Sequence, residues 1–457
     1  MIEPPSFGIT TLSRRRVLAM GGTGLLALLV GCGAARPWHR LSLWTLALRP
    51  WFDDYMAERI AVFEAAYPPF RIDWVDVPYD AIDRKLIAAA AAGMAPDVVN
   101  LADLNFARFA SLGAFRDLTP DLPIDADATY LAGALPMCRI GGRLLGVPWY
   151  VNPQALVVNE SLLKEGGLSP ATLPRSWGGL VEAAPAFRAA TGKYLFSQSL
   201  GEESQLPIMM LAEGIALFMA DEDGHVVSNF DQPAVRDYLS CFANLYASGN
   251  LPSDAATRGH AHLTDLYQDG SLAAINTGPN FLGRIRDVSP SIFASTSVLP
   301  GVVGDLNRIH MPVMTISVTS QSRHPEAAAA LAAFITGHES QLALCKRSAV
   351  MPSTIRTLTD PMFTASTDAN ADADERRLAS ARAVAARTLP GAVAFTPSIP
   401  AWPDLRRAFE DEFKRVLLSG RTVGDAATRI DIAWDRMLKA SERVTMSAVP
   451  APEPYPS

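Results

Sequence analysis

The 457-residue sequence has few cysteines and little charge. Only four residues are cysteine and 19% are charged, and no C-x-x-C pair occurs. A disulfide-stapled miniprotein and a zinc module are therefore excluded. The formal net charge of −7 also argues against a protein that neutralises nucleic-acid phosphates. After Cys32, the remaining cysteines are Cys138, Cys241 and Cys345, a set that fits buried thiols or one long-range disulfide.

Common catalytic signatures are absent as well. The sequence has no G-x-x-x-x-G-K-[ST] phosphate loop, no G-x-S-x-G elbow and no H-E-x-x-H zinc motif. We therefore expect no ATP site, no metal, no cofactor and no catalysis in this chain. What it has instead is apolar material: 49% of the residues are hydrophobic. At this length, the default expectation is more than one core, and hence two lobes.

The N-terminus has the pattern of an export signal. Arg14, Arg15 and Arg16 precede an uncharged run, Val17–Gly31, which ends at Cys32. The run is too short to span a bilayer comfortably, and its basic flank is typical of a signal peptide over residues 1–31. The segment resembles both a twin-arginine signal and a lipobox, which implies that Cys32 is lipidated and that the body lies outside the cytoplasm. An uncleaved membrane anchor is the alternative.

The body alternates strand and helix patterns. Strand-like residues 41–46, 70–77 and 97–101 are separated by helical periodicity over 53–67 and 79–92. This β-α-β-α-β order predicts a parallel sheet, whose strand ends open onto a ligand crevice. A second set of alternations begins near residue 151, so the predicted fold class is α/β. The proline-rich tail, residues 446–457, is expected to be disordered.

Seven segments, in chain order, resemble the bacterial extracellular solute-binding protein family 1, the sugar-binding lipoproteins of ABC importers. The match spans nearly all of residues 40–440. The segments are Ala91–Val99, Ser111–Pro120, Gly141–Tyr150, Asn159, Ser176-Trp177, Gly270–Pro279 and Val350–Pro352.

This resemblance implies a periplasmic-binding-protein-like fold with two α/β lobes and a ligand cleft between them. The first lobe would comprise residues 38–148 and 300–348, and the second 152–297 and 351–445. Hinge crossings are expected near 148–152, 295–302 and 346–352. The implied partners are a carbohydrate, ABC permease subunits with a separate ATPase, and the membrane through the lipid anchor. We expect a monomer that binds no nucleic acid.

A sugar needs aromatic faces for its C–H surface and polar side chains for its hydroxyls. The family resemblance places loops after the first and third strands, the first crossing, and several second-lobe segments at the cleft. The alternative for each residue is a helix cap or a packed aromatic. The expected ligand-binding residues are Arg49, Trp51, Asn100, Asp103, Asn105, Trp149, Tyr150, Asn152, Glu202, Ser204, Gln205, Thr277, Asn280, Phe281 and Trp402.

The sequence departs from the family pattern at two places that can face ligand. Asn280-Phe281 stands where the family often has Trp after Gly-Pro, and Val157-Val158-Asn159 replaces Tyr-Tyr-Asn. The identity of the sugar or polyol therefore stays open, and a glycerol phosphate derivative is one alternative ligand. The rival functions are an exported carbohydrate-active enzyme and a structural or adhesive lipoprotein.

Overall fold

The computed structural model describes residues 38–364, 371–441 and 449. The predicted signal peptide, Cys32 and nearly all of the predicted tail lie outside the described residues. The strands are β1 (His39–Leu46), β2 (Phe70–Val77), β3 (Val98–Ala102), β4 (Arg139–Ile140), β5 (Arg143–Leu144), β6 (Val147–Val151), β7 (Ala155–Asn159), β8 (Tyr194–Phe196), β9 (Phe218–Ala220), β10 (Val226–Ser228), β11 (Leu272–Thr277), β12 (Thr296–Pro300), β13 (Ile309–His310), β14 (Val313–Val318), β15 (Met351–Pro352) and β16 (Ala392–Val393).

Helices surround these strands, and short 3-10 turns cover Tyr79–Ala81, Leu135–Cys138, Ser253–Ala256 and Leu389–Gly391. The helices are α1 (Asp53–Ala66), α2 (Ile82–Ala91), α3 (Asp103–Ser111), α4 (Ala126–Thr129), α5 (Glu160–Glu165), α6 (Trp177–Thr191), α7 (Leu206–Ala212), α8 (Pro233–Ala247), α9 (His260–Gln268), α10 (Phe281–Val288), α11 (Pro290–Ala294), α12 (Pro325–Ile335), α13 (His338–Arg347), α14 (Ile355–Leu358), α15 (Pro361–Thr364), α16 (Ala373–Thr388), α17 (Trp402–Ser419) and α18 (Val423–Ala440). Over the described residues, none of the helices has both the length and the apolar character to cross a bilayer.

The first lobe is built on a six-stranded sheet with the order β15-β6-β14-β3-β1-β2. Strands β1, β2 and β3 run parallel, as the β-α-β-α-β pattern predicts, and β14 runs antiparallel to β3 and β6. Because parallel strands end at one edge, the segments after β1, β2 and β3 lie side by side. A large apolar core packs on this sheet and includes Leu43, Phe63, Phe106, Trp149 and Ile316.

The second lobe is built on a four-stranded sheet with the order β12-β7-β11-β8. Its main core takes Leu156, Phe196 and Met210, together with aromatic residues of α17 and α18 such as Phe409 and Trp434. Strands β9 and β10 form the antiparallel hairpin that the Asp-Gly turn predicts.

The chain passes between the lobes along several segments. Two passages join β6 to β7 and β12 to β14, near the predicted crossings. The third predicted crossing, at 346–352, does not leave the first lobe, because Met351 and Pro352 pair with Val151 and Tyr150 in the first sheet. The range 351–445 therefore begins with a strand of the first lobe. The later passage follows α16, where Ala392 joins the first core and Phe395 the second.

The three cysteines in the described part of the chain are free. Cys138 and Cys345 are buried, whereas Cys241 is exposed on α8. Cys138, Cys241 and Cys345 therefore do not form the long-range disulfide that the sequence left open, and buried thiols describe two of these three residues.

Candidate functional site

A carboxylate fixes the loop that follows β1. Asp76, near the end of β2, accepts hydrogen bonds from the backbone N–H groups of Leu48 and Arg49, each at 3.0 Å. The Arg49 guanidinium lies over the Trp74 ring, 4.3 Å from its centroid. The loop then presents Trp51 with 84% of its surface exposed. Arg49 and Trp51 thus stand at the edge of the first sheet where the parallel strands end.

Asp103, the first residue of α3, is buried at the same edge. Its Oδ2 accepts from the Thr396 hydroxyl at 2.9 Å, and its Oδ1 accepts from the backbone N–H of Leu104 at 2.8 Å. Removal from water raises the pKa of the Asp103 carboxyl to about 6, although these hydrogen bonds oppose the shift. Asn105 lies two residues further along α3 and is also buried. The structure therefore holds a desolvated carboxyl where the first lobe meets the 392–396 passage.

Tyr79, in the 3-10 turn after β2, lies where the two lobes face each other. Half of its surface is exposed, but withdrawal of the hydroxyl from water raises the pKa of Tyr79 to about 12. The negative charges of Asp103 and Glu203 add to this rise, while Arg406 on α17 opposes it. Burial likewise raises the pKa of Tyr150, which lies near Tyr79. Side chains of both lobes are therefore within electrostatic reach of one phenol.

The second-lobe wall is formed by Glu203, His260, Thr277 and Phe281. The Glu203 carboxylate accepts from the backbone N–H of His260 at 2.9 Å, and the His260 Nε2 lies 3.0 Å from the Thr277 hydroxyl. The His260 ring meets Phe281 edge-on, with the ring centroids 5.4 Å apart. His260 begins α9, Thr277 ends β11 and Phe281 begins α10. The wall is therefore held by the end of one strand and the N-termini of two helices.

Asn152 and Asn280 come together beside the first interlobe passage. A Cβ on Gly278 would lie 2.4 Å from Asn280 Oδ1 and 3.4 Å from Asn152 Cβ, so both side chains flank this glycine. The Asn152 Oδ1 is buried and has no hydrogen-bond partner among the described residues. An amide oxygen left in this state is a site that a ligand hydroxyl or a water can satisfy.

The segment before α7 is divided between exposed and buried residues. Glu202 is exposed and Gln205 is half-buried, whereas Ser204 is fully buried. The Ser204 N–H donates to Glu410 on α17 at 2.9 Å, and its hydroxyl accepts from the Leu206 N–H at 3.4 Å. Ser204 therefore joins α7 to α17, which corrects its expected place at the ligand.

Three further expected residues lie in the cores. Trp149 has no exposed surface: it lies in the first core, where its ring meets that of Tyr150 with the centroids 5.4 Å apart. Trp402 is 1% exposed and packs against Trp434, with ring centroids 6.1 Å apart. Asn100 lies within β3, where its amide accepts from the Leu46 N–H and donates to the Thr315 carbonyl. These contacts are structural, and they correct the expected ligand roles.

Sequence reasoning did not select Asp76, Tyr79, His260 or Arg406. Tyr79 follows a predicted strand, so the logic that selected the residues after β1 and β3 could have found it. His260 and Arg406 stand in segments that carry no distinctive motif, and their places depend on how loops and α17 fold back. The arrangement as a whole offers hydroxyls, amides, carboxylates and aromatic faces from two lobes, but few positive charges.

A separate cavity of about 360 Å³ lies between α16 and β12. Leu282, Phe293, Val298 and Arg377 are among its lining residues. It belongs to the far side of the second sheet and does not include the facing side chains described above.

A family model for bacterial extracellular solute-binding proteins matches residues 58–371. The chain belongs to this family. The solute-binding protein is 30% identical to a candidate oligosaccharide periplasmic-binding protein of Synechococcus sp. MITs9220, whose crystal structure superposes with a TM-score of 0.81 over 88% of this chain and 99% of that one. A lipoprotein from the oleD 5′ region of Streptomyces antibioticus is 24% identical over 83% of this chain and 84% of its own length.

The GacH receptor of Streptomyces glaucescens, solved unliganded and with acarbose, has the same fold. It is 20% identical, with a TM-score of 0.71 over 88% of this chain and 99% of that one. The predicted family, the α/β two-lobe fold and a solute-binding role are therefore confirmed. The family is extracellular and one relative is a lipoprotein, which agrees with a location outside the cytoplasm.

Proposed function

We propose that the solute-binding protein captures a neutral, hydroxyl-rich sugar or polyol between its lobes and delivers it to the permease of an ABC importer. The observation that carries this proposal is that Glu203, which holds His260 on the second lobe, is within electrostatic reach of Tyr79 on the first. Aromatic faces cover the apolar side of a sugar, and carboxylates and amides accept its hydroxyl protons. The ligand promotes closure only by the contacts that it makes better in the closed state.

The charge of the site supports a neutral ligand over a glycerol phosphate derivative. Arg406 is the basic side chain whose charge lowers the pKa of Tyr79, but the same guanidinium lies 3.5 Å from the Glu410 carboxylate and also acts on the Asp103 carboxyl. A phosphate there would have to displace these carboxylates or sit among them. An oligosaccharide, disaccharide or glycosyl polyol meets no such repulsion.

The proposal includes no covalent chemistry. A glycosidase would need one carboxylic acid free to protonate the leaving oxygen and a second carboxylate opposite it. The Asp103 oxygens are already hydrogen-bonded to Thr396 and Leu104, which commits them to holding the fold. We therefore expect binding without turnover.

We also propose that twin-arginine export and lipidation place the protein, as a lipid-anchored monomer, in the periplasm or on the extracytoplasmic face of the cell membrane. The support is the Arg14-Arg15-Arg16 segment, Cys32 and the Streptomyces lipoprotein relative. A Cys32→Ala variant is expected to leave the membrane fraction while keeping its ligand affinity. Retention in the membrane by that variant would support an uncleaved anchor instead.

The function is tested by thermal shift on the full-length protein, purified in a detergent without a sugar headgroup. The panel contains maltose, maltotriose, tagatose, glycerol 3-phosphate and chromogenic glycosides. We expect at least one neutral sugar to raise the melting temperature with a dependence that follows RT ln(1 + [L]/Kd), and no glycoside to be hydrolysed. A shift with glycerol 3-phosphate alone, or glycoside turnover, would overturn the proposal.

A further inference from the structure

His260 is held rigidly by the segment before α7. Its backbone N–H donates to the Glu203 carboxylate at 2.9 Å, and Glu203 adopts a left-handed backbone with φ of +51°. Non-glycine residues adopt this conformation rarely, and a cost of about 1 kcal/mol or more has to be offset by the contacts around it. Gly259 completes the fit, because a Cβ there would lie 2.4 Å from the Glu203 Oε2.

The imidazole itself makes one polar contact. Its Nε2 lies 3.0 Å from the Thr277 hydroxyl, and its edge meets Phe281. No hydrogen bond to its Nδ1 occurs among the described residues. The ring thus stands on the wall that faces Tyr79, since Glu203 is close enough to that phenol to influence it.

The environment keeps this ring neutral. Burial lowers the pKa of His260, and the nearby Glu203 charge opposes the shift without cancelling it. A neutral imidazole has one donor and one acceptor nitrogen. The Thr277 hydroxyl can donate to Nε2 or accept from it. If Nε2 accepts, Nδ1 carries the proton and donates; if Nε2 donates, Nδ1 accepts. A hydroxyl suits either tautomer because it too can donate and accept.

We propose that His260 is a specificity-determining residue that contacts a ligand hydroxyl through Nδ1, and that Glu203 is the positioning residue that holds it there. This inference rests on the proposed sugar-binding function and adds a contact that the sequence did not reveal.

Two isosteric substitutions separate this ligand contact from a structural role. His260→Asn retains a polar atom near the Nδ1 position, whereas His260→Gln retains one near Nε2 and can still reach Thr277. A ligand contact at Nδ1 predicts that the Asn variant binds the sugar within about threefold of wild type, while Gln and His260→Ala bind about tenfold more weakly, the size of one net hydrogen bond. A purely structural role predicts the reverse order for Asn and Gln.

His262 provides the matched control. It lies on the same helix, and its Nε2 contacts Asp254 at 2.5 Å, away from the Thr277 wall. His262→Asn is therefore expected to leave the sugar affinity unchanged.

The probe is maltose, or the panel sugar that binds most tightly, titrated calorimetrically into the full-length protein. Imidazole ¹⁵N spectra of the wild type give a second readout that needs no variant: the sugar should shift the His260 Nδ1 resonance and leave that of His262 in place. Unchanged His260 resonances, or a Gln variant that binds as wild type does, would overturn the inference while leaving the sugar-binding function intact. A panel in which no sugar binds overturns the proposed function itself, and the inference with it.

Discussion

Replacing Asp103 by Asn should remove the part of the pH dependence of folding stability that this carboxyl contributes. Asp103 is 8% exposed, and desolvation raises the pKa of its carboxyl from 3.8 to about 6. A folded-state pKa above the unfolded value means that the folded protein holds the proton more tightly. The Asp103 contribution therefore favours folding at low pH, and it is lost as the pH rises from about 4 through about 6.

The magnitude follows from the shift. A rise of about two pKa units corresponds to about 3 kcal/mol, which is an upper limit because hydrogen bonds to Thr396 and Leu104 relax when the charge changes. The Asn variant cannot ionise. Its free energy of unfolding relative to wild type should therefore increase by about 2 to 3 kcal/mol between pH 4 and pH 7, on top of a pH-independent offset for its altered contact with Thr396.

Urea unfolding at pH 4, 5, 6 and 7, followed by tryptophan fluorescence and circular dichroism, measures this difference directly. Asp117→Asn is the control. Despite some burial, hydrogen bonds from the Thr119 N–H and hydroxyl lower the pKa of Asp117 from its ordinary value of 3.8, so the stability that this carboxylate contributes is lost only below about pH 4. Its replacement should therefore change stability by a nearly constant amount from pH 5 to pH 7. A difference between wild type and Asp103→Asn that stays constant across this range would refute the reasoning.

The other predictions concern packing and the cleft rim. Gly301→Ala places a Cβ 2.4 Å from the Gln154 carbonyl oxygen and should lower the free energy of unfolding by about 1–3 kcal/mol. Gly178 lies in α6, and a Cβ there meets nothing within 4 Å. Gly178→Ala should therefore raise the free energy of unfolding by about 0.5–1 kcal/mol. Trp402→Ala should cost about 3–5 kcal/mol because the ring is core. Trp51→Ala, 84% exposed, should change stability by less than about 0.5 kcal/mol yet weaken sugar binding about threefold to tenfold. Urea titrations and calorimetry check all four; a Trp51→Ala variant with unaltered affinity would remove that residue from the site.

Local patterns predicted the regular elements well. The expected strand at 41–46 lies within β1, and the helical periodicity over 53–67 and 79–92 corresponds to α1 and to the 3-10 turn with α2. In each, the hydrophobic period and the flanking breakers agree with the packed structure. The β-α-β-α-β unit followed directly, because its connections allow few topologies.

Prolines indicate a loop at two points where the structure has a strand and a helix. Pro148 and Pro153 flank Trp149-Tyr150 and favour an exposed loop, yet Pro148 fits within β6 where the pairing with β14 shifts register. Trp402 lies between Pro400 and Pro403, which also indicates a loop. Pro403 instead stands in the first turn of α17, a position that tolerates proline, and the helix turns the indole into the core.

The cleft depended on tertiary contacts that no local pattern encodes. Tyr79, Glu203 and Arg406 meet only because the 3-10 turn after β2, the segment before α7 and α17 converge from distant parts of the chain. The sequence could identify residues at strand ends, but not which of them face water, since that is decided by packing between the lobes.

Isothermal titration of the full-length protein with the neutral sugar panel tests the central claim most directly. Capture between two lobes predicts one saturable site per chain for at least one neutral sugar, with a negative heat-capacity change from the apolar surface buried on closure. No binding heat with any neutral sugar, or release of free product from a glycoside during the titration, would contradict the account.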